Sequence, residues 1–249
     1  MAVEAQPWVP FAARNRDVWY SRRKRVQVGE ILRVISGNWR GHRLDAPSGT
    51  VARPTTDRVK ESMFNLMGPN WTGELAVDLF AGSGALGIEA LSRGAERAVF
   101  VDKSPRSIAA VRTNLERLHA LSEASLVVAD WQTGWRRAIE GRTEVGWVFV
   151  DPPYAKQLWV DVLSTIAESG VTVVHGIVCE HPRDVDLPEA VGSLQRIKER
   201  IYGDIVVTIY KDARYNQAPQ TSGATESTTA ASANHEWMDA SPMTKRDAD

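Results

Sequence analysis

Between about residue 30 and residue 213, apolar runs of strand length alternate with segments of helical period, which restricts this chain to a mostly parallel sheet covered by helices. Strands are predicted at 75–80, 98–102, 125–129, 147–150 and 176–180. Their near-continuous apolar character fits strands buried on both faces. Helices are predicted at 84–92, 105–118, 135–139 and 156–168, one between each pair of strands, with Pro105 in a first helical turn. Segments 196–202 and 205–210 alternate around Gly203 and Asp204, predicting a hairpin that closes the sheet antiparallel and brings it to seven strands. Upstream, Thr56 or Asp57 can cap a helix whose Val59, Met63, Leu66 and Met67 form one apolar stripe, expected beside the first strand. Before it, the run 32–35 and Gly37, Gly41 and Gly49 predict a small, basic β-rich lead-in at 30–53.

The 249 residues, 43% hydrophobic and 24% charged, are ordinary for a folded chain of one to two domains and exclude global disorder. Three parts are expected: a basic N-terminal extension at 1–29, one α/β domain at 30–213, and a disordered polar tail at 214–249 rich in Ser, Thr, Ala, Asn and Gln. Residues 1–60 hold 12 Lys and Arg against 5 Asp and Glu, while the remainder holds 18 against 26, so an anionic partner is sought at the basic end. In the extension, Arg14, Arg16, Arg22, Arg23, Lys24 and Arg25 alternate with Trp8, Phe11, Trp19 and Tyr20; this reads either as a nucleic-acid contact or as a solvated arm. The single cysteine, Cys179, excludes a disulfide framework and multi-cysteine metal sites, and is expected to be a buried thiol in a reducing compartment. No uncharged apolar run approaches about 18 residues and no secretory signal is evident, so a cytoplasmic protein with no membrane partner is expected.

The first strand runs into Gly82, Ser83, Gly84, Ala85, Leu86 and Gly87, a G-x-G-x-x-G turn before a helix, where backbone can approach a ligand closely and free N–H groups meet its oxygens. Asp102 ends the next strand 20 residues after Gly82, where a carboxylate accepts from ribose hydroxyls. Together these features ask for an adenosine-type cofactor in a Rossmann-like fold. NAD and S-adenosylmethionine share that geometry. Asp78, at the strand end, favours the cationic ammonium of a methionine moiety over a pyrophosphate, although it can also cap the turn's N–H groups. Asp130 can accept from an adenine amine while Trp131 packs on the ring; a surface Asp and a half-buried Trp explain the same pair.

Asp151, Pro152, Pro153 and Tyr154 follow the fourth strand directly. Pro-Pro holds extended backbone with fixed outward carbonyls, so the Asp151 side chain and the Pro152 carbonyl can take the two hydrogens of a planar NH2 while Tyr154 stacks on the attached ring. Such holding turns the nitrogen lone pair towards a methyl donor, a positioning and electrostatic contribution to catalysis. The bland alternative is a strand-ending turn. Among His42, His119, His175, His181 and His235 no pair has helical metal-ligand spacing, and no metal is expected. Ser83 lies in a glycine turn rather than in G-x-S-x-G, so no serine nucleophile is inferred.

The segments ILRVISGNWRGHRL from Ile31, RPTTDRVKESMFN from Arg53, DLFAGSGALGIEALSRGA from Asp78, DPPY from Asp151 and RIYGD from Arg200 resemble, in order and spacing, the bacterial RsmD family of 16S ribosomal RNA guanine-N2 methyltransferases. The glycine run and DPPY are shared with many amino-methylating enzymes; RPTTDRVKESMFN is the more particular segment. The resemblance implies a class I methyltransferase fold, S-adenosyl-L-methionine as donor, and a guanine exocyclic amine in small-subunit ribosomal RNA, free or in an assembling 30S particle, as acceptor. It implies that Asp78, Gly82 and Gly84 contact the cofactor, that Asp102 meets its ribose and that Asp151 to Tyr154 hold the base. Phe80, Ala81, Ser83, Lys103, Asp130 and Trp131 complete the candidate cofactor set. Arg53, Thr55, Arg58 and Asn65 would lie at the rim, and Arg40 and Arg43 join them as candidate RNA contacts. A monomer is expected. Two other readings stay open: amino-methylation of adenine in DNA or of a protein amide, and a non-catalytic RNA-binding assembly factor of the same fold.

Overall fold

The computed structural model describes residues 32–47, 57–69, 71 and 74–215. The extension at 1–29, the lead-in from 48 with Gly49, Thr56 as a helix cap, the candidate RNA contacts Arg53 and Thr55, and the expected tail from 216 lie outside the described residues. The elements are α1 (Asp57–Met67), β1 (Leu75–Asp78), α2 (Ala85–Arg93), β2 (Arg97–Asp102), α3 (Pro105–Arg117), β3 (Ala124–Val128), α4 (Trp131–Ala138), β4 (Glu144–Val150), α5 (Trp159–Glu168), β5 (Thr172–Pro182), β6 (Ala190–Val191), β7 (Leu194–Tyr202) and β8 (Ile205–Asp212).

One sheet carries all the strands in the order β3-β2-β1-β4-β5-β8-β7-β6. The first five strands pair in parallel, and β8, β7 and β6 are antiparallel. The expected seven strands thus become eight among the described residues. The addition is the two-residue β6, turned into β7 at Gly192 with φ of +55°, and two residues are too few to show an alternation in sequence.

Side chains alternate between the two faces, and each face builds its own core. Ala76, Phe100, Trp147, Phe149 and Val178 point towards α1, α2 and α3. Val77, Val101, Val148, Val150, Ile177 and the fully buried thiol of Cys179 point towards α4 and α5, whose Trp131, Trp135 and Trp159 fill that side. Chain order β1 to β3 runs outwards on one side of β1, and the next crossover returns to β4 on the other side. The direction therefore reverses between β1 and β4, which opens a crevice beyond their carboxyl ends, where α/β sheets bind ligands.

Helix α4 begins at Trp131, four residues before its expected start, because Asp130 caps it: the carboxylate accepts from Thr133 N at 2.9 Å. Gly134 weighs against a helix in sequence. Here it is required, since a Cβ would stand 2.1 Å from Val101 Cγ1. Helix α5 begins later than expected, at Trp159; residues Tyr154–Lys156 make a separate 3₁₀ turn that ends at Gln157 with φ of +47°. The lead-in is less β-rich than expected among its described residues, with a single antiparallel bridge, Arg33 to Arg43, around a turn. Val34 and Leu44 anchor it in the α1–α3 core. At the other end, Arg214 forks onto Asp212 and donates to the Val171 carbonyl at 3.0 Å. Among the described residues no helix is long and apolar enough to cross a membrane, and no three His, Cys, Asp or Glu side chains are grouped to hold a metal ion.

Candidate active site

Strand register brings four acidic side chains to one face of the sheet. Asp78 pairs with Phe100 on β2 and with Phe149 on β4. Asp102 and Asp151 follow those partners by two positions and so share their face. Val150 pairs with Cys179, so Asp151 and Glu180 are the next residues of adjacent strands. The result is an acidic floor at the switch point, and among the described residues no Lys or Arg forms an ion pair with Asp78 or Asp151.

Burial dominates the electrostatics of this floor. It pushes the pKa of Asp78 up to about 7, against the N–H donors of Gly87 and Phe80 and with a further rise from Asp102. Burial, then the charges of Glu180 and Asp78, hold Asp151 well above the usual carboxylate range. A site that resists negative charge in this way is ready to accept a cationic ligand.

The glycine turn is fixed from both sides. Gly82 N donates to Asp102 Oδ2 at 2.9 Å, Gly87 N to Asp78 Oδ2 at 3.2 Å, and Ala81 N to the Val101 carbonyl at 2.9 Å. Gly84, with φ of +81°, also lacks room for a side chain, since a Cβ would stand 3.1 Å from Val111 Cγ2. Among the described residues the space over Gly82 is open: a Cβ there would find only the Phe80 carbonyl, 3.9 Å away. Asp102 Oδ1 accepts from Ser104 N at 2.8 Å, which leaves each oxygen one lone pair for a ribose hydroxyl. These residues fit a ligand that joins a cation to an adenosine better than one that brings a pyrophosphate.

Opposite the turn, Pro153 is extended (φ −54°, ψ 120°), and its carbonyl is taken by Lys156 N at 3.0 Å. No described N–H donates to the Pro152 carbonyl, which remains available beside Asp151. Tyr154 is held at both ends: its hydroxyl donates to Glu180 Oε1 at 3.2 Å, and its ring lies 6.0 Å from that of Trp159. Trp159 Nε1 in turn donates to the Glu180 carbonyl at 2.7 Å.

A family model described as conserved hypothetical protein 95 matches residues 32–211. The chain belongs to this family, the RsmD family of the sequence reading. It is 45% identical over 181 residues to "Putative rRNA methyltransferase YlbH" of Bacillus subtilis, covering 72% of this chain and 98% of the relative. It is 31% identical to "Ribosomal RNA small subunit methyltransferase D" of Escherichia coli K12, covering 72% and 89%. Among solved structures, "Putative methyltransferase yhhF" of Escherichia coli superposes with a TM-score of 0.63 at 29% identity, covering 74% of this chain and 99% of that one. The fold is the Rossmann-like α/β fold of methyltransferases.

In this family member Asp78, the glycine turn, Asp102 and Asp151 are brought together at the carboxyl ends of β1, β2 and β4, and other candidates are placed differently. The oxygens of Asp130 are engaged by Thr133, Oδ1 by its N and Oδ2 by its Oγ1, and Trp131 is buried in the α4–α5 core. Lys103 stands beside Lys156, whose ammonium pKa it lowers, so two like charges from the β2 and β4 loops meet. The candidate RNA residues form a separate group: Arg40 and Arg43 are exposed on the lead-in, Arg58 and Asn65 on α1. Glu89, fully buried in α2, joins both supports, accepting from Ile35 N at 2.7 Å, Ser36 N at 2.9 Å and Lys60 Nζ at 3.3 Å.

Sequence reading missed Glu180, Glu89 and Asn114. Glu180 carries the same signal that marked Asp78 and Asp102, an acid closing an apolar strand. The other two sit in amphipathic helices, where a polar residue reads as solvent-facing.

Proposed function

We propose that this chain transfers a methyl group from S-adenosyl-L-methionine to the exocyclic N2 amine of a guanine in 16S ribosomal RNA. The observation that carries the reading is the placement of Asp151, Pro152 and Tyr154 across the β1/β4 switch point from Asp78 and the open face of Gly82. The names of the relatives support ribosomal RNA as substrate class.

When bound, the cofactor supplies an electrophilic methyl on a cationic sulfur. Asp78 holds its ammonium group, and Asp102 holds its ribose. A positive ligand over this floor restores the ionised form of Asp151, whose pKa is otherwise raised by burial and by Glu180. Ionised Asp151 and the Pro152 carbonyl then each accept one hydrogen of the guanine amine and direct the nitrogen lone pair out of the ring plane. Tyr154, pinned by Glu180, offers a face on which a flipped-out base stacks. After transfer the nitrogen carries an acidic proton, which Asp151 is placed to accept. Lys103 and Lys156 at the crevice mouth, with Arg40, Arg43 and Arg58 further out, meet the phosphates.

The deciding experiment maps methylated nucleotides in ribosomal RNA from cells with and without this protein. It is paired with methyl incorporation in vitro into naked RNA, 30S particles, DNA and protein. A single guanine that loses its N2 methyl, restored by the purified chain, is the expected result. Incorporation into DNA or protein alone overturns it.

A further inference from the structure

We propose that Asn114 is a positioning residue that couples the cofactor site to the RNA-facing lead-in, an inference that rests on the RNA-methylation reading above. Its amide is fully buried in α3 and is spent on main chain from two distant segments. Nδ2 donates to the Ser83 carbonyl at 3.0 Å and to the Asp45 carbonyl at 3.0 Å, while Oδ1 accepts from Asp45 N at 2.8 Å. Ser83 belongs to the glycine turn. Asp45 lies in the lead-in that displays Arg40 and Arg43.

A buried amide is tolerated only where its hydrogen bonds are made, so this side chain ties the two segments directly, beside the Glu89 and Ser92 contacts that hold the lead-in to α2. A second contact closes the junction from outside. Exposed Arg117, one turn along α3, pairs with the Asp45 carboxylate and donates to the Arg43 carbonyl at 3.3 Å. Asn114 therefore binds the turn and the lead-in together, and Arg117 binds only the lead-in to α3. A ligand that fixes the glycine turn lowers the ordering needed at Arg43 to Asp45, and RNA seated on the lead-in does the same for the turn. Linkage makes the effect reciprocal.

The test measures the affinity of S-adenosylhomocysteine by calorimetry, alone and with saturating unmethylated RNA, naked or in 30S particles, whichever the chain methylates. RNA is expected to tighten that affinity by about 5- to 10-fold in the unaltered chain. Asn114→Ala is expected to bring the ratio to within about twofold of unity, and Arg117→Ala to about half its original value. Loss of folded protein lowers the number of sites without changing this ratio, so a merely structural role leaves it intact. If Asn114→Ala does not fold, the exposed Arg117→Ala decides. An unaltered ratio in the variants that fold, or no coupling in a chain that does methylate RNA, overturns the coupling and leaves the activity standing. A chain that methylates no RNA overturns both.

Discussion

The Lys60 ammonium lies 3.3 Å from the Glu89 carboxylate, and the two side chains are 2% and 0% exposed. A buried pair is held against its desolvation only when further hydrogen bonds complete it. Glu89 has them in Ile35 N, Ser36 N and Arg93 Nε, and Lys60 has the Arg33 carbonyl at 2.6 Å. Glu89→Ala strands the Ile35 and Ser36 N–H groups, takes the carboxylate from Lys60 and Arg93, and is expected to cost about 3–5 kcal/mol. Lys60→Met leaves Glu89 three partners and is expected to cost distinctly less. Urea unfolding of the two variants checks the order; equal losses would show that the carboxylate is not the hub.

With Asp78 as the proposed contact of the cofactor's ammonium group, binding is expected to depend on pH in a defined direction. Its pKa stands near 7 because burial disfavours the charge, and a cationic ligand binds the ionised form. Affinity for S-adenosylhomocysteine is therefore expected to fall as pH drops below about 7, by up to tenfold per unit, with proton release on binding. In the ligand-free chain the sign is opposite. The folded state keeps a proton that the unfolded chain releases near its ordinary value of 3.8, so this group's contribution to stability is lost as pH rises towards about 7. Calorimetry from about pH 5.5 to about pH 7.5 measures the binding slope, and Asp78→Asn should reduce it to the part that Asp151 supplies. An equal slope in that variant would move the titration to another group.

The G-x-G-x-x-G turn, Asp102 and the DPPY group were legible because each couples a residue type to a strand end. The central strands were legible because residues covered on both faces read as unbroken apolar runs. Their ends were harder. His175 and Gly176 interrupt the apolar run, yet β5 starts at Thr172, because Gly176 is kept for a close approach in which a Cβ would stand 2.7 Å from the Tyr210 carbonyl. Asp130 reads in sequence as an adenine contact or a plain surface acid, and the cap it gives α4 is seen only in the fold. Glu89 and Asn114 depend on contacts 53 and 69 residues away along the chain, which no local pattern encodes.

Gly87 is set by packing rather than by backbone strain. A Cβ there would stand 2.3 Å from Phe100 Cε1, so α2 lies on β2 with no space for a methyl group. Gly87→Ala is expected to destabilise the chain by about 1–3 kcal/mol despite the better helix propensity of alanine. Thermal unfolding reads this directly. A gain in stability would mean that α2 can shift outward without loss.

Tyr154 should act on RNA rather than on the cofactor. Stacking of a base on an aromatic ring is worth about 1–3 kcal/mol, so Tyr154→Ala is expected to raise KM for RNA by about 5- to 150-fold. Tyr154→Phe keeps the ring and loses the hydroxyl that bonds Glu180, so its effect is expected within about fivefold. Steady-state kinetics with varied RNA separates them. If the two variants behave alike, the hydroxyl and not the ring face carries the contribution.

Asp151 is the group whose change should divide binding from chemistry. Asp151→Asn keeps the shape but removes the charge that draws hydrogen from the target amine, and it lifts the repulsion that Asp78 now imposes on this position. Preorganised acceptors of this kind are worth about 10²–10³ in kcat, and a loss of that size is expected. Affinity for S-adenosylhomocysteine should stay within about fivefold of the original, because Asp78 and Asp102 remain to hold the ligand. Single-turnover methyl transfer with saturating cofactor and RNA measures the first quantity, and calorimetry the second. A variant that transfers methyl at the original rate would leave the amine held by the Pro152 carbonyl alone and would remove Asp151 from the reaction.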